Sequence, residues 1–208
     1  MLSTIAKSTL ILHRLNVQRT WVLVSVLLLA GKPSSEIMTV IFPLSVPAVT
    51  LLMKRRKSPT LSVSCVMDLY ARKIIAWTLA DTMEVSTVIE TIDKAKACRN
   101  TDLPLIIHSY RGSQYISNAW REATEKMQQS YSHSGYPYDN TCIESFHSLI
   151  KREWLNRFYI INYKHAYRLV FEYIETFYNT VRIHSHCNYM SPNDFEKLFE
   201  KVSSLPAA

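Results

Sequence analysis

The chain has 208 residues, enough for one sizeable core, and carries 24 Lys and Arg against 17 Asp and Glu, a net charge of +7. On charge alone, a protein that binds a polyanion and an ordinary soluble basic protein are about equally expected. Four widely separated cysteines with no Cys-x-x-Cys pair argue against a zinc site and a disulfide framework, and they predict reduced thiols in a cytosol. Glycine occurs only at positions 31, 112 and 135, which excludes a glycine-rich phosphate loop.

Residues 1–60 differ in character from the rest of the chain. The apolar run from Trp21 to Ala30 is shorter than the roughly 20 residues that span a bilayer, and it resembles a signal peptide only superficially, so we expect no membrane association. A second apolar run, Met38 to Met53, contains Pro43 and Pro47, which argue against both a regular helix and a central strand. The sequence therefore predicts an irregular N-terminal segment.

A hairpin and a helix are predicted next. The stretches Ser62–Leu69 and Lys73–Leu79 are rich in β-branched and aromatic residues and flank a short turn. Asp68, near the end of the first strand, is expected to be a turn or pairing residue rather than a metal ligand. From Glu84 to Cys98, apolar residues recur at helical spacing, and we assign this stripe to the core.

A strand, a helix and a loop are expected between residues 104 and 140. Pro104–His108 is a short apolar run typical of a buried strand, with a histidine at its end that we interpret as structural. Ile116–Met127 fits a helix, and Gln128–Asn140 has the composition of a loop.

Two amphipathic helices complete the predicted elements. Four apolar residues recur at steps of three and four and mark the buried face of the first helix: Ile143, Phe146, Ile150 and Trp154. Glu144, Ser148 and Lys151 share a different face, which suits either a surface that binds DNA ends or a common exposed Glu–Lys face. Arg152, the residue after Lys151, adds a second cation beside this face. The second helix, Tyr163–Asn179, is rich in aromatic residues, most of which we assign to the core.

One motif lies at the end of the predicted strand, and a second lies at the start of the helix that carries Glu144. The first, His108–Tyr115, reads HSYRGSQY, and the second, Tyr138–Phe146, reads YDNTCIESF. Together with the hairpin and the C-terminal run Arg182–His186, they resemble the catalytic core of DDE-type insertion-sequence transposases of the OrfB kind, relatives of retroviral integrases. In that family the motifs read His-Ser/Thr-Asp-Arg-Gly-Ser-Gln-Tyr and Tyr/Trp-Asp-Asn-x-x-x-Glu-Ser-Phe. The resemblance extends from Val66 to Phe199.

The resemblance implies a fold and a chemistry. The implied fold is an α/β RNase H-like integrase core over residues 61–200, a mixed sheet flanked by helices, followed by a short tail, 201–208. The implied reaction is two-metal hydrolysis of DNA ends and strand transfer, with three carboxylates that hold Mg²⁺. Glu144 matches the third carboxylate and is the candidate catalytic and metal-binding residue. The candidate DNA contacts are Arg111, which suits a phosphate or a neighbouring acid equally, and Ser148, Lys151 and Arg152.

Two departures from the family pattern change this expectation. Tyr110 stands where the family has its second catalytic Asp, and a phenol with a pKa of about 10 is a poor Mg²⁺ ligand at neutral pH. The first Asp, usually in a Gly-Asp-Val/Ile-Thr-Tyr segment ahead of the Asp68 strand, has no counterpart. We interpret residues 1–60 as a degenerate stretch translated out of frame, because shifted codons for Ala48–Met53 can encode that missing segment.

Three functional outcomes follow from these departures. The first is a transposase by ancestry that is inactive in catalysis. The second is a DNA-binding remnant that occupies transposon ends or pairs with an active transposase and inhibits it. The third is a chain that does not fold stably, because Pro-interrupted sequence replaces the first strand. The expected partners are DNA, at insertion-sequence ends and target, and either a second copy or an active transposase, in the cytoplasm.

Overall fold

The described part of the chain folds around one mixed β-sheet. The computed structural model describes residues 19–23, 27–29, 61–99, 105–133 and 137–203. The strands are β1 (Arg19–Leu23), β2 (Leu27–Leu29), β3 (Leu61–Asp68), β4 (Ile74–Ala80), β5 (Leu105–Ser109) and β6 (Gln128–Tyr131). β3 is antiparallel to β1, β2 and β4, whereas β5 is parallel to β1 and β6.

β1 lies in the middle of this sheet. Val22 is opposite Met67 of β3 on one side and opposite His108 of β5 on the other. Val63 pairs with both β2 and β4, so these two strands lie on opposite edges of β3. Val66 likewise pairs with both β1 and β4. β2 therefore continues along the edge of β3 that β1 occupies, and the two short strands together fill one central position.

The predicted hairpin is present as β3 and β4, joined by a tight turn. The Asp68 carboxylate accepts hydrogen bonds from the backbone N–H groups of Tyr70, at 2.8 Å, and Ala71, at 3.4 Å. The Arg99 guanidinium lies 3.7 Å from the same carboxylate. Asp68 is thus a turn and pairing residue, as expected. Arg72, at the end of the turn, has a φ of 56°, a left-handed conformation that non-glycine residues other than Asn and Asp adopt infrequently.

Five α-helices among the described residues cover the sheet. They are α1 (Val85–Cys98), α2 (Asn118–Ala123), α3 (Thr141–Glu153), α4 (Tyr163–Phe171) and α5 (Pro192–Ser203). The Ser117, Asn162 and Ser191 side chains accept hydrogen bonds from backbone N–H groups at the starts of α2, α4 and α5. α4 continues as a π-helix over Glu172–Tyr178. No described helix has the length and apolar content needed to cross a bilayer.

Two apolar clusters lie against the sheet, and β3 contributes to both. All eight residues of β3 are buried, as expected for a strand covered on both faces. Alternate residues of β3, such as Val63 and Met67, pack with α3 and α4. Val66 points to the other cluster, with α1, α2 and β5. Three members of the predicted core face of α3, Ile143, Phe146 and Ile150, are fully buried, whereas the fourth, Trp154, directly follows the helix and is partly buried.

Three predictions of secondary structure were wrong in part. The predicted loop Gln128–Asn140 contains β6 and a 3₁₀ turn, Pro137–Asn140, and the predicted helix Ile116–Met127 is shortened to α2. Parallel pairing with β5 makes the polar sequence of β6 a strand, a non-local effect that local composition does not show. The segment expected to be irregular, residues 1–60, contributes β1 and β2. Met38–Met53, including the stretch interpreted as out of frame, lies outside the described residues.

Candidate active site

The candidate site lies where the C-terminal end of β5 meets the first turns of α3. Tyr110 directly follows β5, and Glu144 is the fourth residue of α3. The Tyr110 hydroxyl donates a hydrogen bond to a carboxylate oxygen of Glu144 at 2.5 Å. The fold therefore joins two side chains from motifs that are well separated in the sequence.

Burial patterns explain why these two side chains reach the same place. Leu105, Ile107 and Ser109 of β5 are buried, so the strand is fixed in the sheet and Tyr110 emerges at its edge. α3 is held by its buried apolar face, which leaves Glu144 exposed on a different side of the helix. A side chain at the strand end can then meet a carboxylate on the helix.

The central strand brings no carboxylate to this edge. β1 runs parallel to β5, so the C-terminal ends of both strands lie at the same edge of the sheet. The sequence of β1 is RTWVL, which contains no acidic residue. Glu36 is the only Asp or Glu in residues 1–60, and it lies outside the described part of the chain.

Polar residues below the site tie β5 to β6 and to the start of α3. His108 Nδ1 and Ser130 Oγ share a hydrogen bond of 2.9 Å, and Ser132 Oγ lies 3.4 Å from His108 Nε2. Burial lowers the pKa of His108, while Asp139 acts in the opposite direction. The Asn140 amide, just before α3, donates to Ser132 Oγ. His108 is therefore structural, and these contacts position Glu144 relative to β5.

A basic, exposed face extends along α3 from Glu144. Ser148 and Arg152 are exposed, and Lys151 is half-buried. Within the described part of the chain, neither Lys151, Arg152 nor the exposed Arg111 forms an ion pair. The neighbouring acid considered for Arg111 is thus not found among these residues. Glu144, Ser148, Lys151 and Arg152 lie on a continuous part of the helix surface, whereas Arg111 follows β5.

His147 is a residue near the site that the sequence did not single out. It lies one turn beyond Glu144 and is buried at 8% exposure. Burial, and to a lesser degree the charge of Lys151, lowers its pKa to about 4. His147 is therefore neutral at pH 7. Its spacing from Glu144 was visible in the sequence, but its burial was not.

Comparison with known proteins identifies the family. Two models described as integrase core domain match residues 49–137 and 125–192, which together span more than half of the chain. The transposase for insertion sequence element IS904 of Lactococcus lactis is 37% identical over 143 residues, covering 68% of this chain and 56% of that protein. The chain belongs to the DDE-type insertion-sequence transposases. It spans about half the length of the curated transposases that it matches.

Solved structures show that the transposase chain has the retroviral integrase fold. A chain of the simian T-cell lymphotropic virus intasome, in complex with PP2A regulatory subunit B56 gamma, superposes with a TM-score of 0.61 at 12% identity, covering 92% of this chain and 57% of that one. The HTLV-2 integrase catalytic core domain, in complex with magnesium, gives a TM-score of 0.53 at 10% identity, covering 86% of this chain and 95% of that one. The RNase H-like architecture predicted from the sequence is confirmed.

The residues of this transposase chain do not fit the metal site that the family uses. Integrase cores are metal-dependent, and hard divalent ions favour several oxygen ligands. Among the described residues at this site Glu144 is the one carboxylate, and its neighbour Tyr110 supplies a phenol that donates a hydrogen bond to it. Over residues 61–99, 105–133 and 137–203, no three His, Cys, Asp or Glu side chains group in a way that could hold a metal.

Proposed function

We propose that this chain is an insertion-sequence transposase core that binds DNA but does not cut or join it. The observation that carries the proposal is the Tyr110–Glu144 hydrogen bond, which stands where the family pattern places two metal-binding carboxylates. Insertion-sequence transposition is the function that its relatives' names imply for the ancestor of this chain. In this copy the site keeps its position at the strand end and has changed its chemistry.

The expected loss of catalysis follows from what metal-dependent phosphoryl transfer requires. Two bound Mg²⁺ ions activate the attacking oxygen and stabilise the leaving oxygen, and carboxylates hold both ions. One carboxylate is too few ligands for this, and the Tyr110 hydroxyl already occupies an oxygen of Glu144. Each 1.36 kcal/mol lost from transition-state stabilisation slows a reaction about tenfold, so the loss of two ligands abolishes measurable turnover. Mg²⁺ is thus the family's cofactor, and its binding here is expected to be very weak.

DNA binding is supported by the basic face of α3. Ser148, Lys151 and Arg152 lie beside Glu144, and neither cation forms an ion pair within the described part of the chain. Cations of this kind contact phosphates and release counterions, which makes binding weaken as salt rises. Arg111, close to the site and exposed, is the fourth proposed contact. The proposed ligands are insertion-sequence ends and target DNA.

Association with a second subunit is the other part of the proposal. Six large apolar residues that are 41–67% exposed lie between residues 158 and 171: Phe158, Tyr159, Ile161, Tyr163, Tyr167 and Phe171. The last three belong to the helix whose aromatic residues were mostly assigned to the core, so that prediction was wrong for them. Tyr163, Tyr167 and Phe171 recur every four residues on one face of α4, and contiguous exposed apolar surface of this kind marks protein–protein contacts. The patch supports assembly with a second copy or with an active transposase, which a chain without catalysis would inhibit. We propose the cytoplasm as the location of this assembly.

DNA binding measured against salt concentration tests the proposal. We expect binding whose logarithm falls linearly with the logarithm of the salt concentration, and a slope reduced by about one for each of Lys151→Gln and Arg152→Gln. Arg168→Gln is the matched control, because Arg168 is exposed on α4 and pairs with Glu172. Equal effects of all three substitutions would show that α3 is not the DNA-binding face. Absence of salt-dependent binding would refute the proposal.

Association is tested by light scattering on the wild-type chain and on Ile161→Asp. Ile161 is 67% exposed, so the charge disturbs the patch without entering the core. We expect the wild-type chain to be dimeric or larger and the variant to dissociate. A monomeric wild type would exclude self-association and leave the active transposase as the candidate partner.

A further inference from the structure

A cavity on the flank of α3 has a lining that suits an anion. It has a volume of about 490 Å³ and lies between the first half of α3, the turn after β3 and the segment Arg182–His186. Its polar and cationic lining residues include Arg72, Ser145, Arg182, His184, Ser185 and His186, beside apolar residues such as Phe146 and Leu149. No Asp or Glu among the described residues lines it. An anion in this cavity would therefore meet no carboxylate.

Arg72 provides the charge that no described acid neutralises. Its guanidinium donates to Cys142 Sγ, a weak acceptor, and no ion pair of Arg72 is found in the described part of the chain. Arg182 differs, because Glu153 accepts hydrogen bonds from its Nε and Nη2 at 2.9–3.2 Å. The cation available to a ligand is thus Arg72.

The polar groups around Arg72 add to this preference. α3 begins beside the cavity, and Asn140 gives that helix start no side-chain cap. The N-terminal end of a helix carries partial positive charge and attracts anions. His184 Nε2 is buried and has no hydrogen-bond partner among the described residues. Burial, followed by the charge of Arg182, lowers the pKa of His184 to about 4, so its ring is neutral at pH 7.

We propose that this cavity binds a phosphoryl group, with the Arg72 guanidinium as its principal ligand and the hydroxyl of Ser145 and the ring of His184 as neutral partners. An Arg guanidinium can donate two parallel hydrogen bonds to phosphate oxygens. The sulfur of Cys142 is a weaker acceptor, so a phosphoryl group would be the better partner. The phosphoryl group is either a DNA backbone phosphate or a free phosphate.

The position of the cavity relative to Glu144 favours the DNA backbone as the source. Ser145 follows Glu144 in α3 and is therefore about 100° around the helix from it. A strand that crosses α3 can then contact the Lys151 and Arg152 face and place a neighbouring phosphate against Arg72. This choice of source rests on the proposed DNA-binding function, whereas the phosphoryl site itself does not.

Inorganic phosphate titrated at constant ionic strength tests the site. Binding is followed by the backbone amide NMR signals of Cys142 and Ser145, in the wild-type chain and in Arg72→Asn. Asn tolerates the left-handed conformation of residue 72, so this variant removes the guanidinium without straining the turn. Arg72→Lys, which keeps the charge and loses the planar fork, is a second variant, and Arg168→Gln is the distant control.

We expect saturable phosphate binding that Arg72→Asn weakens at least tenfold, or 1.4 kcal/mol, with a smaller loss in Arg72→Lys and none in the control. Absence of saturable binding, or equal binding by wild type and Arg72→Asn, overturns the proposal. The same variants are then titrated with a short DNA duplex. A parallel tenfold loss identifies the backbone as the source, and unchanged DNA binding identifies free phosphate. Phosphate binding by a chain that does not bind DNA refutes the proposed function and leaves this site standing.

Discussion

An ion pair between Glu153 and Arg182 links the end of α3 to the segment Arg182–His186. The Glu153 carboxylate accepts three hydrogen bonds from Arg182 and a fourth, at 2.7 Å, from the Tyr173 hydroxyl. The side chains of Glu153 and Arg182 are 29% and 21% exposed. Glu153→Gln keeps the shape and removes the charge, so the substitution isolates the electrostatic part of the contact.

The size of the effect follows from this partial burial. Removing one partner from a fully buried pair costs about 3–5 kcal/mol, and an exposed pair contributes about 0–1 kcal/mol. For a pair about a quarter exposed we expect a loss of about 2 kcal/mol in the free energy of unfolding. In a chain of this length that corresponds to a fall in Tm of about 4–8 °C. Thermal and urea unfolding measure both quantities.

The matched control is Glu172→Gln, in the Arg168–Glu172 pair. That pair joins side chains that are 67% and 42% exposed, and we expect a loss of at most about 0.5 kcal/mol. The hydrogen bonds from Arg182 are the main cause of a lowered pKa for Glu153 in the folded chain. Its stabilisation is therefore fully present above the unfolded pKa and is lost as the pH falls through the lower folded pKa. Equal losses in both variants, or a Glu153→Gln effect that persists at acid pH, would refute this reasoning.

Two further substitutions test other parts of the structure. Tyr110→Asp restores a carboxylate ligand beside Glu144. We therefore expect calorimetry to detect Mn²⁺ binding by this variant and none by the wild type or by Tyr110→Asn. Absence of Mn²⁺ binding in all three would show that the site geometry does not support a metal. Asn179 joins α4's π-helical extension to β4, because its amide exchanges two buried 3.0 Å hydrogen bonds with the backbone of Ile74. We expect Asn179→Ala to lower the free energy of unfolding by about 2–3 kcal/mol, and exposed Asn156→Ala to change it by at most about 0.5 kcal/mol; equal urea midpoints for the two would contradict this assignment.

Elements with a strong local pattern were predictable from the sequence. The β3–β4 hairpin, α1 and the buried face of α3 show their periodicity in the residues that form them. β1 and β6 show no such pattern, because what makes them strands is pairing with β3 and β5 from distant parts of the chain. The prolines that argued against a first strand lie in Met38–Met53, whereas the chain places Arg19–Leu23 in the central position.

The candidate site was likewise predictable from the sequence only in part. The family motifs pointed to Tyr110 and Glu144, and the structure shows their contact, but the roles of these residues and of the proposed DNA contacts remain predictions. The cavity that we propose as a phosphoryl site was not visible in the sequence. Its residues come from three segments, and the contact between Arg72 and Cys142 joins positions that are 70 residues apart. A cation that forms no ion pair with the described residues can be recognised only when those residues are placed in space.

The central claim is that this transposase core binds DNA without processing it. The most direct measurement is Mg²⁺-dependent cleavage of insertion-sequence ends by the purified wild-type chain, alongside Glu144→Ala, at protein concentrations where both bind the DNA. We predict that neither releases product above the level of DNA alone. Cleavage by the wild-type chain that Glu144→Ala abolishes would contradict the account, because it would show that Glu144 still serves a working metal site.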